Sequence, residues 1–168
     1  MKIRNIEIKA ICNHPEEVRK ILKQHNADFK GIDHQIDTYY KAKKGRLKHR
    51  EGNIEHSLIY YNRPDTMKNK ESKIILIKNP DKDIINILEA SLEKFVIVDK
   101  KREIYFIDNI KFHIDKVKGL GSFIEIEARS EEEKIPKKTL MEQTKRFTKL
   151  FGIKDIDLIK ESYSDLLK

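Results

Sequence analysis

The chain has 168 residues, a formal charge of +8 and 38% charged residues, against roughly 25% in an average globular domain, yet its 38% hydrophobic residues are too many for a disordered chain. The longest strictly aliphatic run, Ile74 to Ile77, is too short for a transmembrane helix, Met1 to Asn5 contains no apolar signal region, and the solitary Cys12 excludes an intrachain disulfide and cysteine-based zinc sites. These bounds predict one soluble, cytosolic domain over 1–168, whose basic balance implies an anionic partner: nucleic acid, a membrane surface or a phosphate compound.

Ile3 to Cys12 alternates with period two and reads as a strand. Pro15-Glu16-Glu17 opens a helix, with proline and acids suited to its first turn, an apolar stripe of Val18, Ile21 and Leu22, and an end near Asn26. Strands follow at Asp37 to Ala42, Arg46 to Arg50, Ser57 to Arg63 and Ser72 to Lys78, with hairpin signals at Lys43-Lys44-Gly45 and Glu51-Gly52-Asn53. Asn79-Pro80-Asp81 opens a second helix carrying Ile84, Ile85, Leu88 and Leu92. Phe95 to Arg102, Glu103 to Ile107, Lys111 to Lys118 and Ser122 to Arg129 read as further strands. A third helix runs from about Lys137 to Phe151, with Gly152 as its C-terminal cap. A short helix near Ile159 to Leu167 closes the chain. The pattern predicts an α+β fold with a large antiparallel sheet, open or closed into a barrel.

Several strands carry charge at every second position. Asn5, Glu7 and Lys9 share one face; so do Arg46, Lys48 and Arg50; Lys100 and Arg102; Lys111, His113 and Asp115; Glu125 and Glu127. The signs are segregated: like charges about 7 Å apart along a strand repel. Such rows make sense when a counter-charge binds. Phosphate oxygens satisfy Arg and Lys, and a hard divalent cation satisfies paired carboxylates. Closing the sheet would gather the charges in a common interior, with Ile6, Ile8, Leu47, Ile124 and Ile126 outside under the helices.

In order and spacing, these segments resemble the CYTH, or triphosphate tunnel metalloenzyme, superfamily, and most of all its class IV adenylyl cyclase branch. Asn5-Ile6-Glu7-Ile8-Lys9 stands where the family has Glu-x-Glu-x-Lys. Gly45 to Arg50 resembles the basic second motif, and Leu58 to Asp65 the strand with its phosphate-binding Arg63. Lys70-Glu71-Ser72, the Lys100-Lys101-Arg102 strand, the Asp115 to Ala128 hairpin and the tail Glu161 to Leu167 resemble the rest. The resemblance implies an eight-stranded antiparallel closed barrel with flanking helices, holding a triphosphate with Mg²⁺ or Mn²⁺. It implies that Lys9, Arg46, Lys48, Arg50, Arg63, Lys70, Lys100 and Arg102 contact phosphate. Glu7, Asp115, Glu125 and Glu127 would face metal, and Glu7, Lys9 and Asp115 would serve catalysis. The departure is Asn5, an amide that can ligate through oxygen but carries no charge.

Three functions fit these expectations. A cyclase would convert ATP to cyclic AMP and pyrophosphate. A phosphohydrolase would act on tripolyphosphate, a nucleoside triphosphate or thiamine triphosphate. A non-catalytic protein would bind nucleotide, polyphosphate or RNA 5′ ends. A plain nucleic-acid binder would instead carry an exposed cationic stripe interleaved with aromatics, so nucleic acid is disfavoured, as is a membrane. Relatives allow a homodimer. His113 either steadies a metal-bound water or makes an interior hydrogen bond. Tyr39, Tyr61 and Tyr105 read as core aromatics rather than base-stacking platforms.

Overall fold

A computed structural model of the chain describes residues 1–67 and 70–168. Eight antiparallel strands close into a barrel in the order β1-β5-β4-β3-β2-β6-β7-β8. They are β1 (Lys2–Ile11), β2 (Asp28–Tyr40), β3 (Arg46–Glu51), β4 (His56–Asn62), β5 (Lys70–Lys78), β6 (Lys94–Ile107), β7 (Ile110–Val117) and β8 (Gly121–Glu131). Helices α1 (Pro15–Gln24), α2 (Lys82–Ser91), α3 (Lys137–Leu150) and α4 (Tyr163–Leu167) flank it. No helix among the described residues is long and apolar enough to cross a membrane.

The two faces of each strand have separate fates, because successive side chains point to opposite sides. On β1, β7 and β8 the outward set is Ile6, Ile8, Ala10, Ile110, Phe112, Ile114, Ile124, Ile126 and Ala128, all buried. Against it pack Val18 and Leu22 of α1 and Leu140 and Phe147 of α3. Phe147 meets Phe112 edge-on at 4.8 Å between ring centroids. This core lies outside the barrel, while the interior holds the charged rows beside a second apolar cluster that includes Ile3, Tyr39, Ile59, Tyr61 and Ile74. Leu47, by contrast, is only half-buried and belongs to neither core. On α2 only Ile85 of the expected stripe is buried, and Ile84 stays exposed.

Three elements differ from the sequence reading. β2 begins nine residues before Asp37, since its inward positions Asp33, Gln35 and Asp37 are polar and hide the apolar alternation that marks a strand. β6 is one strand of 14 residues rather than two. The last helix is short, and the segment before it is extended: Ala10 bridges Leu158, and the Ile159 N–H donates to the Lys9 carbonyl. Gly45 takes φ +64° in the β2–β3 connection, where a Cβ would stand 2.7 Å from the Tyr61 carbonyl oxygen, so only glycine fits.

Candidate functional site

The barrel interior encloses a cavity of about 490 Å³. Its lining includes Asn5, Glu7, Lys9, Lys48, Arg50, Arg63, Lys100, Arg102, Lys111, Glu125, Glu127 and Arg129. Strand register brings these together. Glu7 stands directly opposite Glu127, Lys9 opposite Glu125, His113 opposite Glu125 and Lys111 opposite Glu127.

Asp37 on β2 is the hub of the cationic side. It is 1% exposed. It accepts from Arg50 Nε and Nη2, both at 2.8 Å, and from Lys100 Nζ at 2.7 Å, with Lys48 Nζ at 3.2 Å. Burial alone would raise its pKa, but Arg50, Lys100 and Lys48 hold it well below the usual carboxylate range. Lys100 is pulled down to about 7 by burial, which the Asp37 charge only partly offsets. Burial likewise pulls Lys70 down to about 7, helped by Arg63 and Lys9. Lys70 Nζ donates to the Ile159 carbonyl at 2.5 Å.

The row of three cations on β3 therefore divides. Lys48 and Arg50 turn to Asp37, whereas Arg46 pairs with Asp165 of α4 at 2.6 Å and Asp65 at 3.3 Å. Arg102 is clamped by Asp115 at 2.7 and 2.6 Å, and Tyr163 donates its hydroxyl to the same carboxylate at 2.7 Å. Both Asp115 oxygens are thus engaged by protein donors, and Asp115 stands outside the cluster best suited to a metal.

That cluster is His113, Glu125 and Glu127, each buried, with ligand atoms within 4.8 Å of one another. His113 Nδ1 lies 3.3 Å from Glu125 and 3.6 Å from Glu127, while its Nε2 has no hydrogen-bond partner among the described residues. Burial, with Arg102 beside it, lowers the imidazole to about 4, so it is neutral at ordinary pH and offers a lone pair. Burial pushes Glu127 up, but Arg129, His113 and Lys111 bring it down to about 2. Carboxylates facing one another across β1 and β8 are unfavourable without a cation between them. Two carboxylates and a neutral imidazole, with Glu7 on the adjoining rung, suit a divalent ion.

Arg63 follows β4 and has a side chain 3% exposed. Its Nη1 lies 3.2 Å from Glu7, but neither Nη1 nor Nε makes a hydrogen bond to any described residue. Asn5 donates to Glu7 at 3.2 Å, and its carbonyl oxygen has no hydrogen-bond partner among the described residues. Lys9 rests 3.8 Å above the Tyr163 ring and donates to the Glu161 carbonyl at 3.4 Å, so the tail that carries α4 closes this end of the lumen. The β1, β4 and β5 wall adds Ile3, Ile59, Ile74 and Leu76, an apolar stretch of the same cavity. Tyr39 and Tyr61 belong to this interior cluster and also line the cavity, beside Lys48.

Sequence reasoning missed Asp37, Glu55, Lys111, Arg129 and Tyr163 as parts of the site. Glu55 comes from the β3–β4 turn and takes Lys111 at 2.5 Å and Arg50 at 3.5 Å. Lys111 shares the alternating face of His113 and Asp115, the one local signal that could have included it.

Comparison with known proteins follows this geometry. The family model described as CYTH domain matches residues 4–163. A Methanocaldococcus jannaschii protein named provisionally as an adenylate cyclase is 29% identical over 146 residues, covering 85% of this chain and 80% of that protein. The PH1012 protein of Pyrococcus horikoshii superposes with a TM-score of 0.80 at 22% identity, over 96% of this chain and 98% of that one. A Hippeastrum protein, provisionally named an adenylyl cyclase and described as revealing a dominant triphosphatase activity, superposes with a TM-score of 0.61 at 11% identity, over 99% of this chain and 94% of that one.

Proposed function

This chain belongs to the CYTH domain family, and on that premise we propose that it is a metal-dependent enzyme acting on an organic triphosphate in the barrel lumen, as one soluble, cytosolic domain over residues 1–168. The observation that carries this reading is Arg63, a buried guanidinium lining the lumen 3.2 Å from Glu7, whose Nε and Nη1 make no hydrogen bond to any described residue. A buried donor left unpaired costs about 1–3 kcal/mol, and a phosphate oxygen would satisfy it. Lys9, Lys48, Arg50, Lys70, Lys100 and Arg102 supply the remaining contacts, with Arg46 towards the closed end. Asp37 keeps Lys48, Arg50 and Lys100 aligned, and Asp115 fixes Arg102.

The apolar wall at Ile3, Ile59, Ile74 and Leu76 favours a substrate with an organic part, most simply ATP, over inorganic tripolyphosphate. Glu125, Glu127 and His113, with Glu7 nearby, would hold Mg²⁺ or Mn²⁺. When bound, the ion supplies Lewis acidity that lowers a hydroxyl pKa and offsets charge on the leaving phosphate. In the cyclase reading, the ribose 3′-oxygen forms a bond to the α-phosphorus, the bond from that phosphorus to the bridging oxygen breaks, and cyclic AMP and pyrophosphate result. Glu7 and Lys9 flank the reacting phosphate, and the Arg and Lys ring stabilises its equatorial oxygens. The name of the M. jannaschii relative supports this reading. The triphosphatase activity described for the Hippeastrum protein supports the second, in which water attacks the terminal phosphorus in the same site.

Incubation with Mg²⁺ or Mn²⁺ and ATP, tripolyphosphate or thiamine triphosphate, followed by chromatography of the products, tests the proposal. Cyclic AMP with pyrophosphate identifies the cyclase; a nucleoside or thiamine diphosphate with phosphate identifies the hydrolase. Turnover of tripolyphosphate alone would refute the organic-substrate assignment, and absence of turnover on all three would refute catalysis.

A further inference from the structure

The outer barrel wall carries two imidazoles that the lumenal chemistry does not use. His49 lies on β3 and His56 on β4; their neighbours Lys48, Arg50 and Ser57 line the lumen, so these histidines face outward. The register sets His56 directly opposite Glu51 and His49 opposite Leu58. His49, Glu51 and His56 therefore share one face of the hairpin stem. The two Nε2 atoms converge to 2.9 Å, with the rings tilted by 57°.

That spacing has a chemical meaning. Two nitrogens each about 2.0–2.1 Å from one ion, subtending about 90–109°, stand about 2.8–3.4 Å apart, and the spacing here matches the near-90° end of that range. His49 is 5% exposed and held in place by burial; His56 is half-buried and Glu51 exposed at the rim. Burial, with His56 close by, lowers His49 below the ordinary histidine value, which leaves its lone pair available. Imidazole selects zinc, nickel or copper rather than the hard cations that prefer oxygen.

We propose that His49 and His56 form a surface chelate site for a divalent transition-metal ion that favours imidazole, with solvent filling its remaining positions, separate from the acidic cluster in the lumen. Such an ion would clasp the stem of the hairpin whose turn carries Glu55 to Lys111 and Arg50. A hydrogen bond between two neutral rings produces the same spacing, so the experiment must separate the two.

The metal-free full chain bearing His113→Gln, which removes the lumenal imidazole, is titrated with Zn²⁺ alone by calorimetry. Zn²⁺ should bind at the outer pair in addition to any ion held by the lumenal carboxylates. Adding His49→Gln and His56→Gln should abolish binding at this site. Absence of Zn²⁺ binding in the His113→Gln chain, or binding unchanged by loss of both outer histidines, overturns the site. Because the buried His49 substitution could unfold the hairpin, the unaltered chain with one equivalent of Cu²⁺ supplies an independent measurement by pulsed paramagnetic resonance. Two coordinated imidazoles support the site; one or none refutes it, since the lumen contributes at most His113.

Discussion

Triphosphate binding should draw protons from solution, and the amount follows from Lys70 and Lys100. Both sit near pKa 7 in the ligand-free barrel because burial disfavours their charged forms. An ordinary lysine titrates near 10.4, so at pH 8 each of these is about one-tenth protonated. A bound triphosphate brings negative charge beside them and raises both pKa values. If each returns to its ordinary range, about two protons are taken up per triphosphate at pH 8. Affinity should then fall by up to about two decades per pH unit between pH 8 and 9. The free protein shows the opposite trend. Its folded lysines have lower pKa values than the unfolded chain, so the unfolded state holds more protons, and stability rises as pH climbs from about 7 towards 10. Titration calorimetry of tripolyphosphate in buffers of contrasting ionisation enthalpy reads the proton count directly. Replacing Lys100 by Arg, which stays charged, should halve it. A count of zero with affinity flat between pH 7 and 9 would refute the reasoning, because the lysines would then be either charged already or remote from the ligand.

Glu125→Gln with Glu127→Gln should abolish divalent-metal-dependent turnover while circular dichroism stays unchanged; normal Mg²⁺-supported turnover would remove these residues from the metal set. Arg63→Ala should weaken triphosphate binding by about 10–150-fold, the loss of one charge-assisted contact of about 1.5–3 kcal/mol, with adenosine binding little altered. Neutralising the exposed Lys20, Lys23 and Lys82 together should change triphosphate affinity little at 0.1 M salt, since exposed charges are screened over about 10 Å; weakening comparable to the Arg63 variant would indicate diffuse surface binding. Phe147→Ala should cost about 3–5 kcal/mol in denaturant unfolding, because Phe147 is 2% exposed and packs on Phe112 between α3 and the barrel.

Much of the architecture was legible from alternation alone. Period-two patterning in Asn5 to Lys9, Arg46 to Arg50 and Phe123 to Glu127 marks strands with one charged and one apolar face, and the single-sign rows point to a bound counter-charge. These are local properties: the extended backbone sends every second side chain to the same side. The fully buried Phe112 and Leu140 of the outer core likewise show in local periodicity. The electrostatic partners did not. Asp37 meets Lys100 across 63 residues and Asp115 meets Tyr163 across 48. Nothing local distinguishes Asp37 at the start of its predicted strand from a solvated acid, and nothing local shows that Asp115, expected to face metal, also accepts from Arg102 and Tyr163. Composition and alternation determined that a charged interior exists and which strands build it. Closure and register of the β-sheet decided which carboxylate neutralises which cation, and which donors are left for a ligand, because pairing across a barrel depends on strand stagger, which residues distant in sequence set together.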